Sequence, residues 1–79
     1  MPLFYFDIDD SGRDIPDMQG REFSDLRSAR SEALRMLGEV VKCELPNSNR
    51  NGFAISVCSE SGKVLLTVSL SVQDKQAAA

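Results

Sequence analysis

Two runs of alternating residues near the end of the sequence constrain the fold more than any other feature. The first run is 53–58, FAISVC, and the second is 64–72, VLLTVSLSV. In both runs a large apolar residue occurs at every second position, which is the pattern of a β-strand with one buried face. The dipeptide Ser61-Gly62 between them is typical of a tight turn. The sequence therefore predicts a C-terminal β-hairpin.

The predicted turn also implies a register for this hairpin. With a two-residue loop, Glu60 pairs with Lys63, and Val57 then lies opposite Leu66. In that register all the large apolar side chains share one face. A simple loop of odd length would break the match, because a shift of one residue moves a side chain to the other face.

The opening of the chain predicts a second antiparallel pair of strands. Residues 3–9, LFYFDID, alternate as a half-buried strand, and residues 10–13 have the composition of a turn. The return segment is ambiguous, because Pro16 cannot donate a hydrogen bond to a neighbouring strand and is typical of an edge. Gly20 permits a bend there, and Phe23 is the expected core contact.

Between the two hairpins the apolar period becomes helical. Ser24-Asp25 is a candidate N-cap, since either side chain can accept a hydrogen bond from the first turn. From Leu26 onward the apolar residues recur at helical spacing and form one stripe, which is widened by Leu34, Met36 and Val41. Pro46 disfavours helical backbone at the residue before it, so the helix is expected to end near Cys43 or Glu44.

The predicted element order is ββαββ. Its simplest fold is a two-layer α+β sandwich, with one helix packed on one face of a four-stranded antiparallel sheet. Residues 1–72 are expected to form a single domain, with a polar loop over 46–52 and a flexible C-terminal tail over 73–79. The predicted core consists of Phe4, Phe6, Ile8, Phe23, Leu26, Ala33, Leu37, Val40, Phe53, Ile55, Val57, Leu66, Val68 and Leu70.

The composition makes several classes of function improbable. The chain has 79 residues, no histidine and a net charge of −3. Without histidine there is no Ser-His or Cys-His arrangement, and no nucleotide-binding glycine motif occurs, so we expect neither an enzyme nor a bound cofactor. No apolar run suits a membrane span or a secretory signal, so the expected compartment is the cytoplasm. Cys43 and Cys58 are expected to be reduced, although a single disulfide stays open.

The stretch FDIDDSG near the start has the opening spacing of a calcium-binding loop. Asp7, Asp9 and Asp10 could gather a cation weakly at the end of the hairpin. However, the twelfth position of such a loop must supply a bidentate acid, and here it is Met18. Aspartate, serine and glycine are also ordinary turn residues. A turn is therefore the favoured interpretation, and no metal site is assigned.

The face of the sheet away from the helix is a candidate interface. One helix cannot cover both faces, and Leu3, Tyr5, Leu65 and Thr67 are expected on the uncovered one. Such a face is either half-solvated surface or a contact with a protein partner, including a second copy of the chain.

The solvent side of the helix carries a candidate basic face. At about 3.6 residues per turn, Arg27, Arg35 and Lys42 fall within about 80° of one another. Such a face could contact phosphates, although pairing of Arg35 with Glu32 or Glu39 is the simpler interpretation. Since an acidic chain is a poor electrostatic match for nucleic acid, that partner is not favoured.

Four features of the sequence occur together in a recognisable order. They are an aromatic opening strand that ends in Phe-Asp, the motif Asp17-x-x-Gly20-x-Glu22-Phe23, an Ala/Arg-rich helix and a closing strand with Ser69. In this order, from about Pro2 to Val72, the sequence resembles a family of short bacterial proteins catalogued as a domain of unknown function. The resemblance implies the element order given above and a bacterial cytosolic setting. It implies no activity, ligand or catalytic residue.

These observations predict a non-enzymatic protein-interaction module, with a homodimer through the exposed sheet face or an edge strand as one form. The alternatives are a regulatory accessory protein that contacts nucleic acid through the basic helix face, and a weak metal-binding module at the first turn. No membrane partner and no small-molecule substrate is expected.

Overall fold

The computed structural model describes residues 2–10, 12–44, 52–73 and 75–77. Its elements are β1 (Leu3–Asp10), β2 (Arg13–Ile15), β3 (Arg21–Glu22), α1 (Leu26–Glu44), β4 (Gly52–Cys58) and β5 (Val64–Ser71). The strands form one antiparallel sheet in the order β2-β1-β4-β5, and β3 also pairs with β1. The predicted α+β fold with one helix is confirmed, with the second predicted strand divided into β2 and β3.

The register of the C-terminal hairpin is the predicted one, but its turn is different. Val57 lies opposite Leu66, as expected. However, the Ser59 N–H donates to the Lys63 carbonyl at 2.9 Å, so the loop contains three residues and Glu60 does not pair with Lys63. The prediction of a two-residue loop was therefore wrong.

A β-bulge explains why the register survives this longer loop. Val64 lies opposite Cys58, whereas Leu66 lies opposite Val57, so Leu65 is the extra residue. A bulge places two residues against one and shifts the pairing by a single position. Here it cancels the extra residue of the loop, and the apolar side chains of β5 stay on the same face as those of β4.

The core lies between α1 and the central strands. Phe53, Ile55 and Val57 of β4 are almost fully buried. Ala29 and Ala33 have no exposed surface, and their small side chains allow the helix to lie close to β4. The rest of the core agrees with the prediction in most places, but Leu26 and Leu70 are exposed by 36% and 42%. Leu26 is the first residue of the helix, and Leu70 lies on the edge strand β5.

The helix begins where its capping residue predicts. The Ser28 N–H donates to Asp25 Oδ1 at 2.8 Å, which satisfies one of the free donors of the first turn. This hydrogen bond also holds the pKa of Asp25 below its usual value. The helix ends at Glu44, as predicted. Pro46, the predicted loop over 46–52 except Gly52, and part of the tail lie outside the described residues.

A carboxylate takes the place of a strand partner along the middle of β1. Between β2 and β3 the chain leaves the sheet, and there the Phe6 N–H donates to Asp17 Oδ2 at 3.1 Å. The other oxygen, Asp17 Oδ1, accepts hydrogen bonds from the N–H groups of Gln19 and Gly20. Burial acts to raise the pKa of Asp17, but these hydrogen bonds outweigh it and lower the pKa. Asp17 thus closes the edge of β1 that β2 and β3 leave open.

Gly20 is required by the same loop for two reasons. Its φ is +76°, in the left-handed region that favours glycine. In addition, a Cβ at this position would lie 2.9 Å from Cε2 of the Tyr5 ring. The ring of Tyr5 therefore packs directly on the Gly20 backbone.

We predict that Asp17→Ala lowers the free energy of unfolding by about 2 kcal/mol, because three backbone N–H groups lose their acceptor. Asp17→Asn keeps one oxygen acceptor and should cost about half as much. Urea unfolding of both variants measures the effect. Asp14→Ala, on exposed β2, is the control and should change the free energy by less than about 0.5 kcal/mol. Equal effects of Asp17→Ala and Asp14→Ala would contradict this role.

We also predict that Gly20→Ala destabilises the fold by about 1–2 kcal/mol more than Gly12→Ala. Both glycines have positive φ, but nothing lies within 4 Å of a Cβ built on Gly12. The difference therefore isolates the clash with Tyr5. Repeating both substitutions in a Tyr5→Ala background should remove most of the difference, and thermal unfolding of the set provides the measurement.

Candidate functional site

One edge of the sheet is a long strand without the features that usually protect an edge. β5 is eight residues long, VLLTVSLS, and no described strand pairs with its outer side. It contains no charged residue and no proline. Proteins normally protect such an edge with charges, proline or a very short strand, because its free N–H and C=O groups can pair with another chain. β5 is therefore a template for an additional strand.

The opposite edge of the sheet is protected. β2 and β3 have three and two residues, and both carry charged side chains. Between them, Pro16 lacks an N–H, and the Asp17 carboxylate already accepts the hydrogen bond from the β1 backbone. Only the β5 edge therefore offers a continuous row of backbone groups within the part of the chain that the structure describes.

Exposed apolar side chains lie beside β5 on the helix side of the sheet. Leu70 lies opposite the buried Phe53, so both point toward the helix layer, yet Leu70 is 42% exposed. On the helix, Glu32 and Met36 contact Arg21 of β3, which places that flank of α1 toward β1. Leu34 lies two residues from each of them, about 160° around the helix, and so faces the β5 side.

Leu34 is also 42% exposed. We name the outer edge of β5 together with Leu34 and Leu70 the β5 surface. It combines free backbone donors and acceptors with an apolar border, the two components of a site that binds an extended segment.

The sequence predicted Leu34 to lie in the widened helix stripe and Leu70 to lie in the core. It therefore did not predict that either side chain is exposed. A signal was nevertheless present in the sequence, because the run 64–72 contains no charge to protect an edge. What the sequence lacked was the position of that run within the sheet.

The predicted interface residues divide into two groups. Leu65 and Thr67 are exposed on β5, and Thr67 Oγ1 lies 3.1 Å from Ser56 Oγ. Leu3 and Tyr5 are half-buried on β1, with β4 between the two groups. The structure therefore does not gather the four into one compact apolar patch, and the interface stays a prediction.

The three aspartates of the first turn do not converge. Asp7 and Asp9 lie on the face away from the helix, whereas Asp10 is buried and borders a cavity with Val40 of α1. Asp7 Oδ1 accepts a hydrogen bond from the Asp17 N–H, and Asp9 Oδ1 accepts one from the Gly12 N–H. No group of acids and cysteines able to hold a metal ion occurs among the described residues. The turn interpretation accounts for the hydrogen bond from Gly12 to Asp9.

A hollow of about 210 Å³ beside Cys58 is lined by several titratable side chains, which makes it a candidate reactive site. Burial raises the pKa of the Cys58 thiol, and the negative charge of Asp7 raises it further. The thiol is therefore protonated at neutral pH and is a poor nucleophile. Both cysteines are free, with Cys43 exposed and Cys58 buried.

The predicted basic helix face is partly neutralised. Arg27, Arg35 and Lys42 are all exposed, but Arg35 donates two hydrogen bonds to the Glu32 carboxylate, at 3.0 and 2.7 Å. Glu32 also forms an ion pair with Arg21. Arg35 therefore pairs with Glu32 on the helix surface, which is the simpler of the two interpretations. Binding of nucleic acid stays a prediction.

The comparison with protein families identifies the domain. A family described as a domain of unknown function, DUF6894, matches residues 3–71. The chain belongs to DUF6894. The matched range runs from the first residue of β1 to the last of β5, so the Asp17 loop and the β5 surface are both parts of the DUF6894 domain.

The DUF6894 assignment supports the expected family and brings no activity with it. No curated protein and no solved structure gave a significant match. Within the described residues of this DUF6894 domain, no helix has the length and apolar character needed to cross a membrane.

We predict that the Glu32 ion pairs make stability depend on acid pH. Hydrogen bonding to Arg35 lowers the pKa of Glu32 from its usual value of 4.5 to about 2, although partial burial opposes the shift. Since the folded-state pKa is depressed, the stabilisation is present above about pH 4.5 and is lost as the pH falls toward 2. Glu32→Gln should therefore cost about 1 kcal/mol at pH 7 and almost nothing near pH 2.

Urea unfolding of the parent and Glu32→Gln across this range provides the measurement. Both arginine partners are about half exposed, so 1 M salt should reduce the difference at pH 7. A difference that stays constant from pH 7 to pH 2 would contradict the prediction.

Proposed function

We propose that this DUF6894 domain is a protein-interaction module that acts without catalysis, and that the β5 surface is its binding element. One observation carries the proposal: the sheet ends in an eight-residue edge strand without charge or proline, beside exposed Leu34 and Leu70. The expected setting, a bacterial cytoplasm, rests on the sequence resemblance and is part of the proposal.

The β5 surface would bind an extended segment by strand addition. Backbone hydrogen bonds supply affinity in this mode, and the side chains on either side of the new strand supply specificity. Each hydrogen bond contributes about 0.5–1.5 kcal/mol net, since water is displaced from the same groups. Burial of the exposed parts of Leu34 and Leu70 adds about 1 kcal/mol each. A partner segment with apolar residues at alternate positions would suit this border best.

The remaining polar groups support a role in binding rather than catalysis. The chain has no histidine. The carboxylates of Asp7 and Asp17 already accept backbone hydrogen bonds, and the Cys58 thiol has a raised pKa. A catalytic acid, base or nucleophile needs a free reactive atom with a suitable pKa, and these three groups are engaged in structure instead.

Site-specific photo-crosslinking in extracts of the source organism tests the proposal. A benzophenone amino acid at Ser69 on β5 should give a discrete protein adduct, with the crosslink in an extended segment of the partner. The same group at Asp14 on β2 is the matched control and should give none. Adding Thr67→Lys should reduce the adduct at position 69 about fivefold, equivalent to about 1 kcal/mol.

Two outcomes would contradict the proposal. One is the absence of any adduct at position 69, and the other is equal labelling from positions 69 and 14. Circular dichroism of each variant confirms that the fold is retained, which is expected because Thr67, Ser69 and Asp14 are exposed.

A further inference from the structure

We infer that the segment bound by β5 is β5 of a second copy of the chain, paired antiparallel about a two-fold axis, with Val68 opposite Val68 of the copy. This inference rests on the proposed function and names its partner. It follows from the charge of β5, from the alternation of its side chains and from the asymmetry of the two sheet edges.

The charge of β5 is compatible with self-pairing. In a two-fold antiparallel pair each strand faces a copy of itself, so charges of one sign along the strand would oppose one another and weaken the pair. β5 contains no charged residue along its eight positions. A second copy is therefore an electrostatically neutral partner along the whole strand.

The side-chain pattern and the length of the regular run together favour one register. Residues directly opposite each other in an antiparallel pair lie on the same face of the sheet. After the bulge at Leu65 the regular run is 66–71. Centring the pair on Val68 places Leu66 opposite Leu70 on the helix side, and Thr67 opposite Ser69 on the other side. All three apolar residues of the run then meet apolar residues, and the hydroxyls meet hydroxyls. Centring the pair on Thr67 or Ser69 would match faces equally well but would include only two apolar residues of the run 66–71.

The hydroxyl pairing has a precedent within the chain. Across β4 and β5, Ser56 Oγ and Thr67 Oγ1 lie 3.1 Å apart, within hydrogen-bond distance. The Thr67–Ser69 pair between copies would repeat this arrangement one strand further along the sheet.

The helices of the two copies would lie on the same face of the joined sheet. The two-fold axis of such a pair is perpendicular to the sheet, so it keeps both α1 helices on one side. Leu34 and Leu70 of each copy would then border the seam and shield each other from water. The exposed side chains of Leu34 and Leu70 are thereby covered without a third element.

The other edge stops the assembly at two copies. β2 and β3 are short and charged, and Asp17 occupies the backbone N–H of Phe6 between them. An edge closed in this way does not accept a further strand. Pairing through β5 alone is isologous, so it gives a closed dimer rather than a fibre.

Light scattering after size exclusion tests the stoichiometry. The chain has a mass of 8.7 kDa, and we expect twice that mass at micromolar concentrations. The double variant Thr67→Lys/Ser69→Lys places like charges opposite each other across the seam and should raise the dissociation constant at least about tenfold. Asp14→Lys, on the protected edge, is the matched control and should leave the dimer intact.

Disulfide trapping tests the register. Thr67→Cys and Ser69→Cys chains, each in a Cys43→Ser background, are oxidised separately and as a mixture. The proposed register predicts that the mixed disulfide forms fastest, because position 67 lies opposite position 69 of the copy. A faster Thr67→Cys homodimer or a faster Ser69→Cys homodimer would overturn the Val68-centred register.

The combined results separate this inference from the proposed function. A monomer at all concentrations, together with an adduct of a different protein at position 69, would overturn the inference and leave the proposed function standing. A monomer with no adduct at position 69 would overturn both.

Discussion

One helix must cover the apolar face of a five-stranded sheet, and where it lies decides the rest of the molecule. Ala29 and Ala33 allow α1 to approach β4 closely, so the strand with the largest buried side chains becomes the centre of the core. A helix is about 10 Å wide and two neighbouring strands are about 5 Å apart, so one helix shields only about two strands fully. The sheet order leaves β5 at the border of that area, which is why Leu66 and Val68 are only half-buried and Leu70 is exposed although all three lie on the core face.

One edge of the sheet is protected against pairing with another strand, and the other edge is not. Along β1 the chain uses two short charged strands and a carboxylate that accepts a backbone hydrogen bond, so no row of free backbone groups remains there. The β5 edge has neither short charged strands nor such a carboxylate beside it within the described residues. An unprotected edge is a disadvantage for a small domain that acts alone, because its backbone groups promote association with other chains. The proposed binding role accounts for the difference, and the proposed self-pairing accounts for the absence of charge on β5.

Parts of the candidate site could be predicted from the sequence and parts could not. The run 64–72 has no charge, and that much is visible in the sequence. Its position at an edge is not visible, because β4 could equally have been the outer strand of the hairpin. Leu70 was predicted to be core since it follows the same alternation as Leu66 and Val68. Alternation reports which face a side chain occupies, but exposure depends on what covers that face. The Asp17 loop was hidden for a similar reason, because its carboxylate accepts a hydrogen bond from Phe6, eleven residues away in the sequence.

The sequence by itself determined the element types, the helix start at Asp25 and the face on which each strand residue lies, since capping and periodicity are local properties of the chain. The predicted register of the second hairpin also agrees with the structure, since a shift of one residue would have placed its apolar side chains on opposite faces. Only the tertiary structure decided the loop length and the bulge that compensates for it, the division of the second strand into β2 and β3, and the order of strands. These depend on contacts between residues distant in sequence, and together they leave β5 at the open edge of the sheet.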